Sequence, residues 1–117
     1  MSIEPKKGNM SNSGLWLVRI ECEPGQEEDF LGWYDQIYLP EVLRVDGICA
    51  ATRFSLVDER GESSGPGWLV VCELDRDVEA VKANLDADRP NRSTHPALVK
   101  EAVVSEFFRP EGDRHVG

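Results

Sequence analysis

The spacing of apolar residues along this chain switches from every second residue to one helical face and back, and does so twice. That order of periods limits the fold more than any other feature. Residues 15–22, LWLVRIEC, alternate with Trp16, Val18, Ile20 and Cys22 on one side and Leu15, Leu17, Arg19 and Glu21 on the other, bounded by Gly14 and by Pro24-Gly25. The first side reads as core. The second begins apolar and turns charged, as a partly covered sheet face would. Residues 25–38, GQEEDFLGWYDQIY, place Phe30, Trp33, Tyr34, Ile37 and Tyr38 at the spacing i, i+3, i+4, i+7, i+8 of one buried helical stripe. Glu27, Glu28 and Asp29 in the first turn suit the helix dipole. Pro40 is expected to break or kink this helix, or to start a new turn through PEVLRV, and Asp46-Gly47 to stop it.

The rest of the chain repeats the pattern. A second strand is expected over 48–57, a hairpin-type loop over the turn-rich 58–67, and a third strand over 68–74. A second helix over 77–88 carries Val78, Val81 and Leu85 as its stripe. RPNRST reads as a loop, HPALVKEA as a short helix begun by Pro96, and residues 103–110 as the last strand. The order β-α-β-β-α-β is that of the ferredoxin-like α+β sandwich, which predicts a four-stranded antiparallel sheet in strand order 4-1-3-2 with both helices on one face. The 117 residues suffice for one such domain, placed at 15–110. Residues 1–14 are polar and aperiodic and read as a disordered tail, with Met10 competing with Met1 as the start. Residues 111–117 read as a frayed C-terminal tail.

Charge and cysteine usage narrow the function. The net charge of −9 argues against nucleic acid, which needs a basic footprint, and against anionic membrane surfaces. No apolar run approaches the ~20 residues of a membrane span, and the N-terminus lacks the apolar stretch of a signal peptide. Cys22, Cys49 and Cys72 are odd in number and widely spaced, so they are expected to be free thiols on strands of a cytoplasmic protein. Neither these cysteines nor the distant His95 and His115 have metal-ligand spacing, and no Gly-rich phosphate loop is present.

Two helices cover one sheet face only. The other is expected to hold Leu15, Leu17, Ala51, Leu69 and Val71, with Arg19, Arg53, Ser55 and Glu73 among them and Glu106 joining if the last strand has the right register. An apolar patch of that size marks an interaction surface. Pairing the sheets of two chains would bury it, so a homodimer is expected.

Several of these residues carry a resemblance. Trp33, Tyr34, Asp35, then Tyr38, Leu39, Pro40, then Asp46-Gly47, then Ala51, Thr52, Arg53, Phe54 resemble the dimeric α+β barrel superfamily. They are most similar to barrels of the ethyl tert-butyl ether degradation type (EthD-like). Those barrels commonly carry Trp-Tyr-(Asp/Asn)-x-x-His-x-Pro, a short Pro-Gly or Asp-Gly turn and an Ala-x-Arg-(Phe/Tyr) strand. The resemblance implies a dimeric barrel with a pocket for a small molecule, in a superfamily of cofactor-free monooxygenases, polyketide cyclases, isomerases, haem-degrading enzymes and binding modules. The chain departs from the motif at its histidine, which is Tyr38 here. A second motif, His-Pro-Ala-His of stress-responsive barrels and plant polyketide cyclases, reads His95, Pro96, Ala97, Leu98 and lacks its second imidazole.

The candidate site follows from these positions. Tyr38 is a poor base at neutral pH but a good hydrogen-bond donor to a carbonyl or enolate oxygen. Tyr38, Arg53 and Asp35 are the catalytic candidates. Arg19, Glu73, Trp33, Tyr34 and His95 are the ligand-binding candidates, the arginines as bidentate partners of an acidic or carbonyl group. Against this stand plainer roles: Tyr38, Trp33 and Tyr34 as core aromatics, Asp35 as a local salt bridge, the strand charges as a cross-strand network, and His95 as an N-cap. The expected function is binding of a hydrophobic, aromatic or polyketide-like molecule and a cofactor-free cyclisation, isomerisation or oxygenation. The alternative is a non-catalytic carrier or accessory barrel that has lost its histidines. A third reading, haem binding through His95, would give a Soret band lost in His95→Ala.

Overall fold

The structure, a computed structural model, describes residues 13–117. Residues 1–12 of the expected tail, and with them the choice between Met1 and Met10, lie outside the described residues. Strand β1 spans Leu15–Glu21 and helix α1 Glu27–Trp33, followed by a π-helical turn Tyr34–Tyr38 and helix α2 Leu39–Leu43. Strands β2 (Ile48–Val57) and β3 (Ser63–Leu74) form a hairpin. Helix α3 (Val78–Asp88), two 3₁₀ turns (Arg89–Asn91 and Lys100–Ala102) and strand β4 (Val104–Phe108) complete the domain. All four strands pair antiparallel in the order β2-β3-β1-β4, the expected 4-1-3-2 order read from the other edge. Phe30, Tyr34 and Val42 of the first helical run and Val78, Val81 and Leu85 of α3 pack with Trp16, Val18, Ile20, Val70, Cys72 and Leu74 of the sheet into one core.

The helix passes Pro40 without breaking. Proline cannot donate, and its ring crowds the carbonyl four residues back. The chain widens just before it, and the Leu39 N–H bonds to the Tyr34 carbonyl, five residues back. The wider turn changes the predicted stripe. Tyr34 stays buried and Tyr38 half-buried, but Ile37 swings out to 47% exposure, where a uniform 3.6 period had placed it inside. α3 begins where Asp77 Oδ1 accepts the Ala80 N–H at 2.8 Å, an N-cap.

Three boundaries move. β3 starts at Ser63, not 68, because the turn is confined to 58–62, where Asp58 Oδ1 accepts the Arg60 and Glu62 N–H groups. The Ser/Gly-rich stretch that reads as loop therefore pairs as strand, with Val57 opposite Ser63. The expected helix at HPALVKEA is reduced to the 3₁₀ turn Lys100–Ala102 and does not begin at Pro96. The backbone before that turn instead runs beside the end of β1, with Glu23 N–H bonded to Ala97 O, Val99 N–H to Glu21 O, and Leu98 bridged to Cys22. β4 is shorter than expected, ending at Phe108.

The register corrects one face. Residues directly opposite on neighbouring strands share a face. The open face holds Leu15, Leu17 and Arg19 of β1, opposite Glu73, Val71 and Leu69 of β3 and Phe108, Glu106 and Val104 of β4. On β2, however, Ala50, Thr52 and Phe54 lie opposite Glu73, Val71 and Leu69, so they occupy that face, and Ala51, Arg53 and Ser55 face the helices. The cause is a bulge. Ile48 pairs with Leu74 and Ala50 with the adjacent Glu73, which leaves Cys49 as an extra residue. One extra residue sends every later side chain to the other face.

Candidate functional site

Between the sheet and the helices lies a cavity of about 310 Å³. Its floor is the inner face of β1 and β3, from Trp16, Val18, Ile20, Val70 and Cys72. Trp33, Tyr34, Tyr38, Leu39 and Val42 form one side, and Lys82, Leu85 and Asp86 of α3 the other. The segment after α3 closes it with Arg89, Arg92, Ser93, Thr94 and Leu98, and Val103, Ser105 and Phe107 complete the rim.

The aromatic side is a connected stack. Tyr38 lies 5.3 Å from Trp33 and 5.1 Å from Tyr34, ring centre to ring centre, one helical turn along the same face. Burial pushes the Tyr34 hydroxyl pKa far up, so it stays protonated. On the floor, Trp16 stacks on Phe107 at 5.6 Å and its indole N–H donates to Ser105 Oγ at 2.8 Å. Burial likewise raises the Cys72 thiol to about 12 and raises Cys22, so neither supplies a thiolate at neutral pH.

The polar side centres on Arg92, whose side chain is only 9% exposed. Its Nη1 donates to the Leu85 carbonyl at 3.2 Å and to Asp88 Oδ2 at 2.9 Å. Burial works against its charge, but hydrogen bonding to Asp88 and to the Tyr38 hydroxyl outweighs that and keeps it firmly protonated. Arg92 and Tyr38 are thus neighbours on the cavity wall. Next to Arg92, the Ser93 N–H and hydroxyl both donate to the Glu41 carboxylate of α2, at 2.7 Å each. This pair ties the closing segment to the first helical run.

These two bonds from Ser93 hold the Glu41 pKa below its ordinary value of 4.5. A depressed carboxyl pKa contributes stability above the unfolded value and loses it as pH falls through the folded value. Glu41→Gln should therefore melt a few degrees below the parent at pH 7, with the gap closing as the pH drops below 4.5. Thermal melts from pH 3 to pH 7 measure it, and a gap independent of pH would remove the carboxylate from the account.

The candidates taken from the sequence separate into three places. Tyr38, Trp33 and Tyr34 meet on the cavity wall. Arg53 and Asp35 pair with each other, Nε to Oδ1 at 3.1 Å and Nη2 to Oδ2 at 2.6 Å, outside the cavity lining. This bidentate pair clamps β2 to the π turn, so Arg53 does not belong to a cross-strand charge network with Arg19 and Glu73. Arg19 and Glu73 lie on the open face, with the sheet between them and the cavity. The bulge at Cys49 is the reason Arg53 does not join them.

His95 also lies outside the cavity lining. It packs on Phe30 at 5.6 Å and Trp33 at 5.2 Å. Its Nδ1 accepts the Ala97 N–H at 3.0 Å, which leaves the proton on Nε2, 3.1 Å from Asp29 Oδ2. Both nitrogens are engaged, so haem ligation would first have to break one of these bonds. Among the described residues no three His, Cys, Asp or Glu side chains cluster as metal ligands do, and no helix is long and apolar enough to cross a membrane.

Sequence reading missed Arg92, Lys82 and the Glu41–Ser93 link. The one local signal was Asp88 four residues before Arg92, an ion-pair spacing at a helix end. Arg92 sits in a stretch that reads as plain loop.

No family model and no curated protein matches this chain. Among solved structures it is similar to an ethyl tert-butyl ether D (EthD) family protein from Bacillus halodurans, with a TM-score of 0.59 at 15% identity, over 87% of this chain and 99% of that one. The chain therefore has the EthD-like fold.

Proposed function

We propose that the cavity between sheet and helices binds a small, largely apolar molecule, aromatic or polyketide-like, and polarises one of its oxygens. The observation that carries this is the pairing of an aromatic chamber of about 310 Å³ with one polar wall formed by Tyr38 and Arg92. Ligand sites of roughly 300 Å³ and above commonly combine apolar walls with a few convergent polar groups. Tyr38 donates to a carbonyl or enolate oxygen and Arg92 supports the developing negative charge, which favours a cofactor-free cyclisation, isomerisation or oxygenation. Arg92 takes the part first given to Arg53, whose guanidinium is committed to Asp35.

One observation favours the second reading, a non-catalytic carrier. The cavity lining contains no histidine, and its one carboxylate, Asp86, is paired with Arg89 at 2.9 Å. A proton-abstracting base would have to come from the substrate or from Tyr38. Turnover separates the readings, but binding tests both.

The probe is 1-naphthol, followed by quenching of Trp16 and Trp33 fluorescence. Tyr38→Phe should keep the fold and weaken binding about five- to tenfold, the loss of one net hydrogen bond of about 1 kcal/mol or slightly more. Val103→Trp, at the rim, should block binding. Saturable binding that ignores both changes would place the molecule elsewhere.

The open sheet face supports pairing with a second copy of the chain. Leu15, Leu17, Leu69 and Val71 lie there, with Phe54 48% and Phe108 49% exposed. A homodimer acting in the cytoplasm is consistent with this face and with an odd number of widely spaced cysteines.

A further inference from the structure

We propose that the ligand of this cavity is an acid: a flat apolar molecule carrying a carboxylate, which Arg92 receives at the inner wall and Lys82 faces from the rim. The inference rests on the binding reading above and names the chemical class that the pocket selects.

Charge placement carries it. The chain is strongly acidic, with a net charge of −9, yet the cavity lining holds Lys82, Arg89 and Arg92 against Asp86 alone. Arg89 and Asp86 neutralise each other at 2.9 Å. Arg92 has Asp88 at 2.9 Å and Leu85 O at 3.2 Å on its Nη1, and the Tyr38 hydroxyl as a third partner. These three partners leave further N–H groups of the guanidinium without a protein acceptor among the described residues. A guanidinium carries five N–H donors, so donors remain for the oxygens of a carboxylate.

Lys82 has no carboxylate within ion-pair distance among the described residues. Its Nζ sits 5.5 Å from the centre of the Phe107 ring, which itself lines the cavity. An excess of unspent cationic donors around an apolar chamber leaves one negative charge to be supplied from outside. A neutral ligand would leave those donors desolvated without a partner, which costs binding free energy.

The test compares two probes on the same ring system, 1-hydroxy-2-naphthoate and 1-naphthol, by titration calorimetry. The wild-type protein should bind the acid at least tenfold more tightly, about 1.4 kcal/mol. That advantage should shrink between 50 and 300 mM NaCl. In Arg92→Gln the ratio should fall to within twofold. Because Arg92 also bonds Leu85 and Asp88, the folding of this variant is checked by its circular dichroism melt. Lys82→Gln, at an exposed position, supplies an independent variant and should lower the ratio two- to threefold.

If naphthol binds as tightly as the naphthoate, the cavity reading stands and the acid proposal falls. If neither probe binds, both fall. If the naphthoate still binds to Val103→Trp, its site is outside the cavity and the acid proposal is overturned.

Discussion

Phe30→Ala should destabilise the protein by about 3–5 kcal/mol, the range for deleting a fully buried phenyl ring. Phe30 has no exposed surface, and it touches rings from three separate segments. Trp33 and Tyr34 of its own helix lie at 5.7 Å, Trp68 of β3 at 6.0 Å, and His95 of the closing segment at 5.6 Å. Such a ring cannot be replaced by collapse of one neighbour, because its neighbours are fixed by different elements. A domain of this size has about 5–15 kcal/mol in all, so the loss is about a fifth of its stability or more. Urea denaturation should show a large fall in midpoint with little change in slope. A loss under about 1 kcal/mol would mean that the aromatic cluster is not what joins helix, sheet and closing segment. Any folded remainder should also bind apolar probes poorly, since Trp33 and Tyr34 form the cavity wall and rest on Phe30.

What the sequence disclosed, and what it hid, divides along the range of the interactions involved. The order of periods is local, and it suffices for the six-element topology and for the core faces of β1 and α3. Pro40 flagged a disturbance but not its form. A proline-containing turn can kink, break or widen, and the outcome is decided by how Tyr34 and Tyr38 pack against the sheet. The bulge at Cys49 had no signal, since Ile48-Cys49-Ala50 contains no glycine or proline, and that one residue moved Arg53 away from Arg19 and Glu73. Arg92 was hidden for a related reason. Its segment has loop composition, and its hydrogen-bond partners are Tyr38, 54 positions earlier in the chain, together with Leu85 and Asp88. Tyr38, Trp33 and Tyr34 were visible because a helical stripe brings its own members together.

Leu17→Glu should convert a dimer into a monomer. Leu17 occupies the middle of β1, itself a central strand, and its neighbours across the open face are Val71 on β3 and Glu106 on β4. If two sheets pack on this face, each partner buries one Leu17 side chain. The substitution removes about 1.5–3 kcal/mol of apolar burial per copy. It also sets a new carboxylate beside Glu106, adding like-charge repulsion that opposes burial. Two such sites per dimer sum to at least about 3 kcal/mol, which weakens association by more than a hundredfold. Because the side chain points to solvent in the single chain, the monomer should keep its fold and its melting profile apart from the loss of dimer linkage. Sedimentation equilibrium at micromolar concentration makes the measurement, expecting twice the 13.1 kDa chain mass for the wild type and one chain mass for the variant. A wild-type protein that is already monomeric under these conditions would remove the dimer reading. The cavity would be left intact by that result, since no residue of its lining reaches the interface through Leu17, and the open face would then be a surface still requiring a partner of another kind.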